Sequence, residues 1–289
     1  MKPPLFDYLV ARSSDEAVRL LSEHPGAMIL AGGQSLIPAM NFRLASPATL
    51  IDINRIPDLS SIDIVDGNVR VGAVVRHRDL EQSDAAFAAN PLLRTALHHV
   101  AHVPIRNRGT TVGSLCHADA AAEMPMILLL SGGWVTAAGP SGRRDIAADE
   151  FFEFHMTTSR GEDEMIVSAT FPALPAGAGH AFAEFARRKG DYAIAAVGAI
   201  IERGEDGKVS AARLAACGIA SRPVRLPDVE AAIVGTALSD ADVALAGERA
   251  KEAATAPDDN NATTAYRKHL LASLTRRVVR EAADMTREG

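Results

Sequence analysis

The chain has 289 residues, 47% of them hydrophobic and 23% charged, which describes a globular protein with length for about two domains. A formal net charge of -6 steers it away from nucleic acid and from anionic membrane surfaces. Cys116 and Cys217 form no C-x-x-C pair, so the chain carries no zinc or iron–sulfur framework of its own and reads as cytoplasmic.

The N-terminal "MKPPLFDYLVARSS" has no apolar core and no cleavage pattern, which predicts no export. Ser13 stands three residues before Glu16, a capping-box spacing, and Ala17, Leu20 and Leu21 follow at helical intervals. "AMILA" reads as a short buried strand ended by Gly32 and Gly33, after which Ser35 can cap a short helix bearing Leu36, Ile37 and Met40. A strand over 49–53 and a hairpin turning at Asp66-Gly67 come next. From Leu80 to about His102 the pattern is mainly helical, interrupted near Asn90-Pro91. A polar, glycine-rich loop, "VPIRNRGTTVGSLCHADAAAEMP", leads to the apolar helix "MILLLSG", whose window is too short to span a bilayer. A second hairpin in "WVTAAGPSGRRDI" and the strand "MIVSATFP" complete the first part.

"PALPAGAG" (172–179) reads as the domain boundary. Three strands follow, the last two joined at Glu205-Asp206-Gly207, and residues from about 228 to 285 are helical. Helices and strands mix without the strict alternation of a doubly wound sheet. Neither G-x-G-x-x-G after a first strand nor a P-loop pattern is present.

Two glycine loops carry the candidate chemistry. Gly32 and Gly33 leave a strand end with no Cβ to hold a ligand off, and Gln34, Ser35 and Leu36 present successive N–H groups at a helix start, where an anion is favoured. The same pattern fits a plain strand-to-helix turn with Ser35 as its cap, and on sequence alone both readings stand. "RGTTVGS" (108–114) is a second such loop. Two loops could grip a pyrophosphate from two sides, but one sequence does not show that they meet. His98 and His102 have the i, i+4 spacing of a helical metal pair, yet no third ligand accompanies them, so they read as packed or solvated helix histidines and no metal site is expected.

"AGGQSLIPAMNFRLASPATLIDI", "IRNRGTTVGSLCHADAAAEMP" and "RRKGDYAIAAVGA" resemble, in order and spacing, the FAD-binding medium subunit of the molybdenum hydroxylases, the family of carbon monoxide, xanthine and nicotinate dehydrogenases. The resemblance runs nearly end to end. It implies an α+β chain: a vanillyl-alcohol-oxidase-like (PCMH-type) FAD-binding domain over residues 1–176, then a smaller α/β C-terminal domain over 177–289, with the flavin between them. It implies pyrophosphate contacts at Ala31, Gly32, Gly33, Gln34, Ser35 and Leu36 and at Thr110, Thr111, Val112, Gly113 and Ser114. Asp119 matches an acid near the adenosine ribose, Tyr192 an aromatic beside the isoalloxazine and Ile166 an apolar ring contact. Lys189 is a cation near the ring, and His117 a hydrogen-bonding residue near FAD.

The sequence departs from the family pattern at Val112, which stands where the second loop usually carries a glycine. A β-branched residue there calls for an ordinary β-region backbone, with close approach left to Gly113. What the resemblance implies for function is electron transfer through FAD. Electrons arrive from 2Fe-2S clusters on a small subunit, a large molybdopterin subunit oxidises the substrate, and the assembly is a dimer of heterotrimers, a heterohexamer. The acceptor is NAD+, a quinone or another group. The other readings are a free-standing FAD oxidoreductase and a non-redox nucleotide-binding or scaffold subunit.

Overall fold

The computed structural model describes residues 1–286. Strands Asp7–Val10, Thr49–Asp52 and Met28–Leu30 form a small parallel sheet in that order, joined through helix Ser14–Glu23 and the short helix Leu36–Asn41. The Ser13 hydroxyl accepts from Glu16 N at 3.1 Å as its spacing predicts, while the Glu16 carboxylate accepts from Arg12 N rather than from the cap residue itself. The strand Asp7–Val10 is missing from the sequence reading; it has no alternation to announce it, with an exposed and half-buried run.

A five-stranded antiparallel sheet follows, in the order Ile62–Val65, Asn68–Gly72, Met165–Phe171, Trp134–Gly139, Gly142–Ala147. The first hairpin turns at Asp66 and Gly67, both at positive φ (51° and 81°), the backbone of a type I′ turn. Met165–Phe171 is buried along its whole length, as a central strand covered on both faces must be. Helices His77–Gln82, Asp84–Ala89 and Leu92–Leu97 fill the region read as helical, broken at Ser83 as well as at Asn90-Pro91.

The C-terminal sheet runs Gly179–Phe185, Ala195–Arg203, Val209–Cys217, with Val224–Arg225 at its edge. Alternation decides its two faces. Ala195, Val197, Ala199 and Ile201 join Leu214 and Ala216 in a core with the helices Pro227–Ile233, Asp240–Ala250 and Thr264–Met285. Phe182, Ala196, Ile200, Ala215 and Cys217 point the other way, into the core of the N-terminal part. Helix Glu123–Ser131 fills the seam. All nine of its residues are buried, which is why "MPMILLL" shows no polar face. The sheet meets this helix at Gly198, where a Cβ would stand 2.6 Å from Leu130 Cδ2.

Candidate functional site

The two glycine loops touch. A Cβ built on Gly32 would lie 2.5 Å from the Arg108 carbonyl oxygen, 2.8 Å from Gly109 Cα and 2.9 Å from Thr110 N. The missing side chain of Gly32 therefore admits the second loop. Gly33 has a separate reason: its φ of +71° lies in the left-handed region, and a Cβ there would press on Leu30 Cδ1 at 3.2 Å and Ile37 Cγ1 at 3.3 Å. A chain of polar contacts ties the loops from behind. Asn54 Nδ2 donates to the Ala31 carbonyl at 2.9 Å, and Arg76 donates to Asn54 Oδ1 at 2.7 Å and to the Arg108 carbonyl at 2.6 Å. Sequence reasoning missed Asn54 and Arg76, since no spacing links them to either loop.

The second loop is mostly helix. Thr111–His117 is helical from its first residue, capped by Thr110, whose hydroxyl accepts from Gly113 N at 3.1 Å. Val112 is a buried helical residue, which corrects the expected β-region backbone. A β-branched residue is at ease there because the position needs no positive φ. Gly113 is small for a local reason: a Cβ would collide with the Thr110 hydroxyl that caps the turn. Thr111 is fully buried, its hydroxyl 3.2 Å from His77 Nδ1. Desolvation, with Arg106 nearby, pulls the buried His77 imidazole down to about 4. Beneath it Arg106 and Glu81 form a buried bidentate pair at 3.1 Å, and Arg106 also donates to the carbonyls of Val100 and Ala101.

Among the described residues, the N–H groups of Gln34, Ser35, Leu36 and Val112 have no acceptor. Leu36 and Val112 stand in first turns, where geometry denies them an intrahelical partner, and Gln34 and Ser35 precede the first of those helices. Ser35 occupies the cap position of Leu36–Asn41 but makes no capping bond. Tyr192, from the C-terminal part, lies near it, and Ser35 lowers the phenol's pKa slightly against the larger upward causes.

Tyr192 also lines a cleft of about 580 Å³ between the two parts of the chain, together with Asp119, His155, Arg187, Asp191 and Arg267. Asp119 Oδ1 accepts from Ala121 N at 2.9 Å, and its other oxygen has no partner among the described residues. The Tyr192 phenol is pushed up to about 12, by desolvation first and then by the carboxylates of Asp119 and Glu123.

The structure brings the remaining expected residues together unevenly. Ser114 is in the helix that Thr110 caps, and His117 is its last residue, half-buried and lowered by desolvation despite Asp119 beside it. Ile166 is buried in the five-stranded sheet opposite Ala137 and does not reach the cleft. Lys189 is exposed beside the cleft, whose cations are Arg187 and Arg267. His98 ends helix Leu92–Leu97 and His102 precedes helix Val103–Arg106, so the two histidines do not share a helix, which corrects that reading. No group of three or more metal-ligating side chains exists among the described residues. Sequence reasoning also missed Glu123 and Glu184. The signal for Glu123 was the single charge opening an otherwise apolar helix, "EMPMILLL".

Residues 4–174 match the family model described as the FAD binding domain in molybdopterin dehydrogenase, and residues 180–282 match that of the CO dehydrogenase flavoprotein C-terminal domain. The chain is 40% identical over 288 residues to the 6-hydroxypseudooxynicotine dehydrogenase complex subunit alpha of Paenarthrobacter nicotinovorans, covering 99% of this chain and 97% of that one. It is 38% identical over 286 residues to the nicotine 6-hydroxylase medium subunit of the same organism, covering 99% and 100%. A solved structure of carbon monoxide dehydrogenase from Hydrogenophaga pseudoflava superposes with a TM-score of 0.95 at 34% identity, over 99% of each chain. No helix among the described residues is long and apolar enough to cross a membrane. The chain belongs to the family of FAD-binding medium subunits of the molybdenum hydroxylases, which are oxidoreductases.

Proposed function

We propose that this chain is the electron-transfer subunit of a cytoplasmic molybdenum hydroxylase, divided at about residue 176, and that it passes electrons from partner-borne 2Fe-2S clusters to NAD+, a quinone or another acceptor. The observation that carries the reading is the contact between Gly32 and the 108–110 backbone, which sets two groups of unpaired N–H donors beside one another. The residues fit FAD. The N–H groups of Gln34, Ser35, Leu36 and Val112 would hold its pyrophosphate, since unpaired helix-start donors favour an anion. The unpaired Asp119 oxygen can accept from a ribose hydroxyl, and Tyr192 would flank the ring. When bound, FAD supplies the exchange between two-electron and one-electron transfer. The chain's own residues bind and orient it.

The substrate would be chosen by a large molybdopterin subunit, and two relatives named for nicotine and a nicotine derivative make N-heteroaromatic compounds the first class to assay. With a small 2Fe-2S subunit, the assembly proposed is a dimer of heterotrimers. Co-expression with candidate large and small subunits, followed by sizing and by reduction of the complex with nicotine-type substrates, tests the reading. A chain that oxidises such a substrate by itself would replace it with a free-standing oxidoreductase.

A further inference from the structure

Arg76 belongs to neither glycine loop, yet it is bonded toward both. Its backbone stands against the second loop, where Arg76 and Thr110 form an antiparallel bridge. On either side of that bridge His77 N donates to the Gly109 carbonyl at 2.9 Å and Thr111 N to the Val75 carbonyl at 3.2 Å. The guanidinium then forks. Nη1 donates to the Arg108 carbonyl at 2.6 Å and Nη2 to Asn54 Oδ1 at 2.7 Å.

Asn54 carries the link on to the first loop. Its Nδ2 donates to the Ala31 carbonyl at 2.9 Å and to Asp52 Oδ1 at 2.6 Å, and its backbone N donates to the same Asp52 oxygen at 2.8 Å. The amide can therefore stand only one way round. Reversed, its NH2 would face the guanidinium donors and its oxygen would face two acceptors. Asp52 is buried in the small parallel sheet, and its other oxygen accepts from the Tyr8 hydroxyl on the neighbouring strand. One continuous set of hydrogen bonds thus runs from that sheet through Asp52, Asn54 and Arg76 to the backbone of both loops.

We propose that Asn54 and Arg76 are positioning residues for FAD, which hold the two sets of N–H donors at one spacing by acting on the Ala31 and Arg108 carbonyls. The role rests on the reading that these loops hold the pyrophosphate. Donors on two separate segments serve one anion only if the segments are held to within about 0.5 Å by supporting bonds. The planar fork is what the place requires. A lysine would keep the charge but has no rigid pair of nitrogens to reach both acceptors.

The test titrates the full-length chain with FAD and follows urea unfolding of the same proteins without FAD. Arg76→Lys should weaken FAD binding by roughly tenfold or more, the worth of one charge-assisted hydrogen bond. Asn54→Ala should cost a similar factor and, since it breaks the same link, the double variant should bind little worse than either single one. Each single variant reads the link independently, so loss of folding in one leaves the other decisive. A folded variant that binds FAD as tightly as the wild type overturns the proposal, however far its urea midpoint has moved. Losses that multiply, to about a hundredfold in the double variant, overturn it as well. A wild-type chain that binds no FAD instead overturns the reading of the loops, and the positioning role with it.

Discussion

Gly32 lies against the backbone of Thr110, with room for a hydrogen and not for a methyl group: a Cβ would stand 2.9 Å from Thr110 N. This contact turns a strand-to-helix junction and a helix-to-helix junction into one cradle. Gly32→Ala should push the loops apart at a cost of roughly 1–3 kcal/mol of stability, and FAD affinity should fall by about tenfold or more, since 1.4 kcal/mol of misplacement already amounts to that. Gly26→Ala is the control. Unlike Gly32 it has a positive φ, +79°, and nothing lies within 4 Å of the new Cβ, so stability falls while flavin titration is unchanged.

Thr110 positions the second loop through its cap on Gly113. Thr110→Ala should cost about 0.5–2 kcal/mol by leaving that donor without its acceptor. Thr110→Ser should recover most of it. Denaturant midpoints of the three proteins, set beside their FAD dissociation constants, show whether cap strength and binding move together.

Glu81→Gln should be among the most destabilising single changes in the N-terminal part. It strips the partner from the buried Arg106 guanidinium, and breaking a buried pair from one side costs roughly 3–5 kcal/mol. A loss below about 1 kcal/mol in urea unfolding would show that the pair is solvated.

His77 should impose an acid limit on stability. Its folded value of about 4 lies below its ordinary 6.5, so the unfolded chain takes up a proton that the folded one refuses. Stability from this site is present above 6.5 and is lost as pH falls toward about 4, by about 3 kcal/mol at 1.4 kcal/mol per unit. Replacing His77 with Gln should remove that part of the slope. Unfolding midpoints of both proteins across the window give the difference directly.

Both hairpins, the capped first helix, the buried helix of the seam and the three C-terminal strands were legible in the sequence, because period and turn chemistry are local. The strand Asp7–Val10 was not, since it pairs with Thr49–Asp52 across a parallel crossover that leaves no alternation in its own residues. The "RGTTVGS" stretch was read as a loop because glycine and small hydroxyl residues mark loops. Here Thr110 acts as a cap and Gly113 clears space for it, so the same residues open a helix. The candidate site was legible as two glycine pairs and a tyrosine. Their meeting point was not, because Gly32 touching 108–110 and Asn54 bridging to Arg76 join residues far apart in the chain.

The most direct measurement is the visible spectrum of the purified chain, alone and assembled with its partner subunits, titrated with FAD. The account predicts a yellow protein with the flavin absorption bands and about one FAD per chain in the assembled complex, a content that falls in Gly32→Ala and holds in Gly26→Ala. A folded, assembled complex that stays colourless with excess FAD would contradict it.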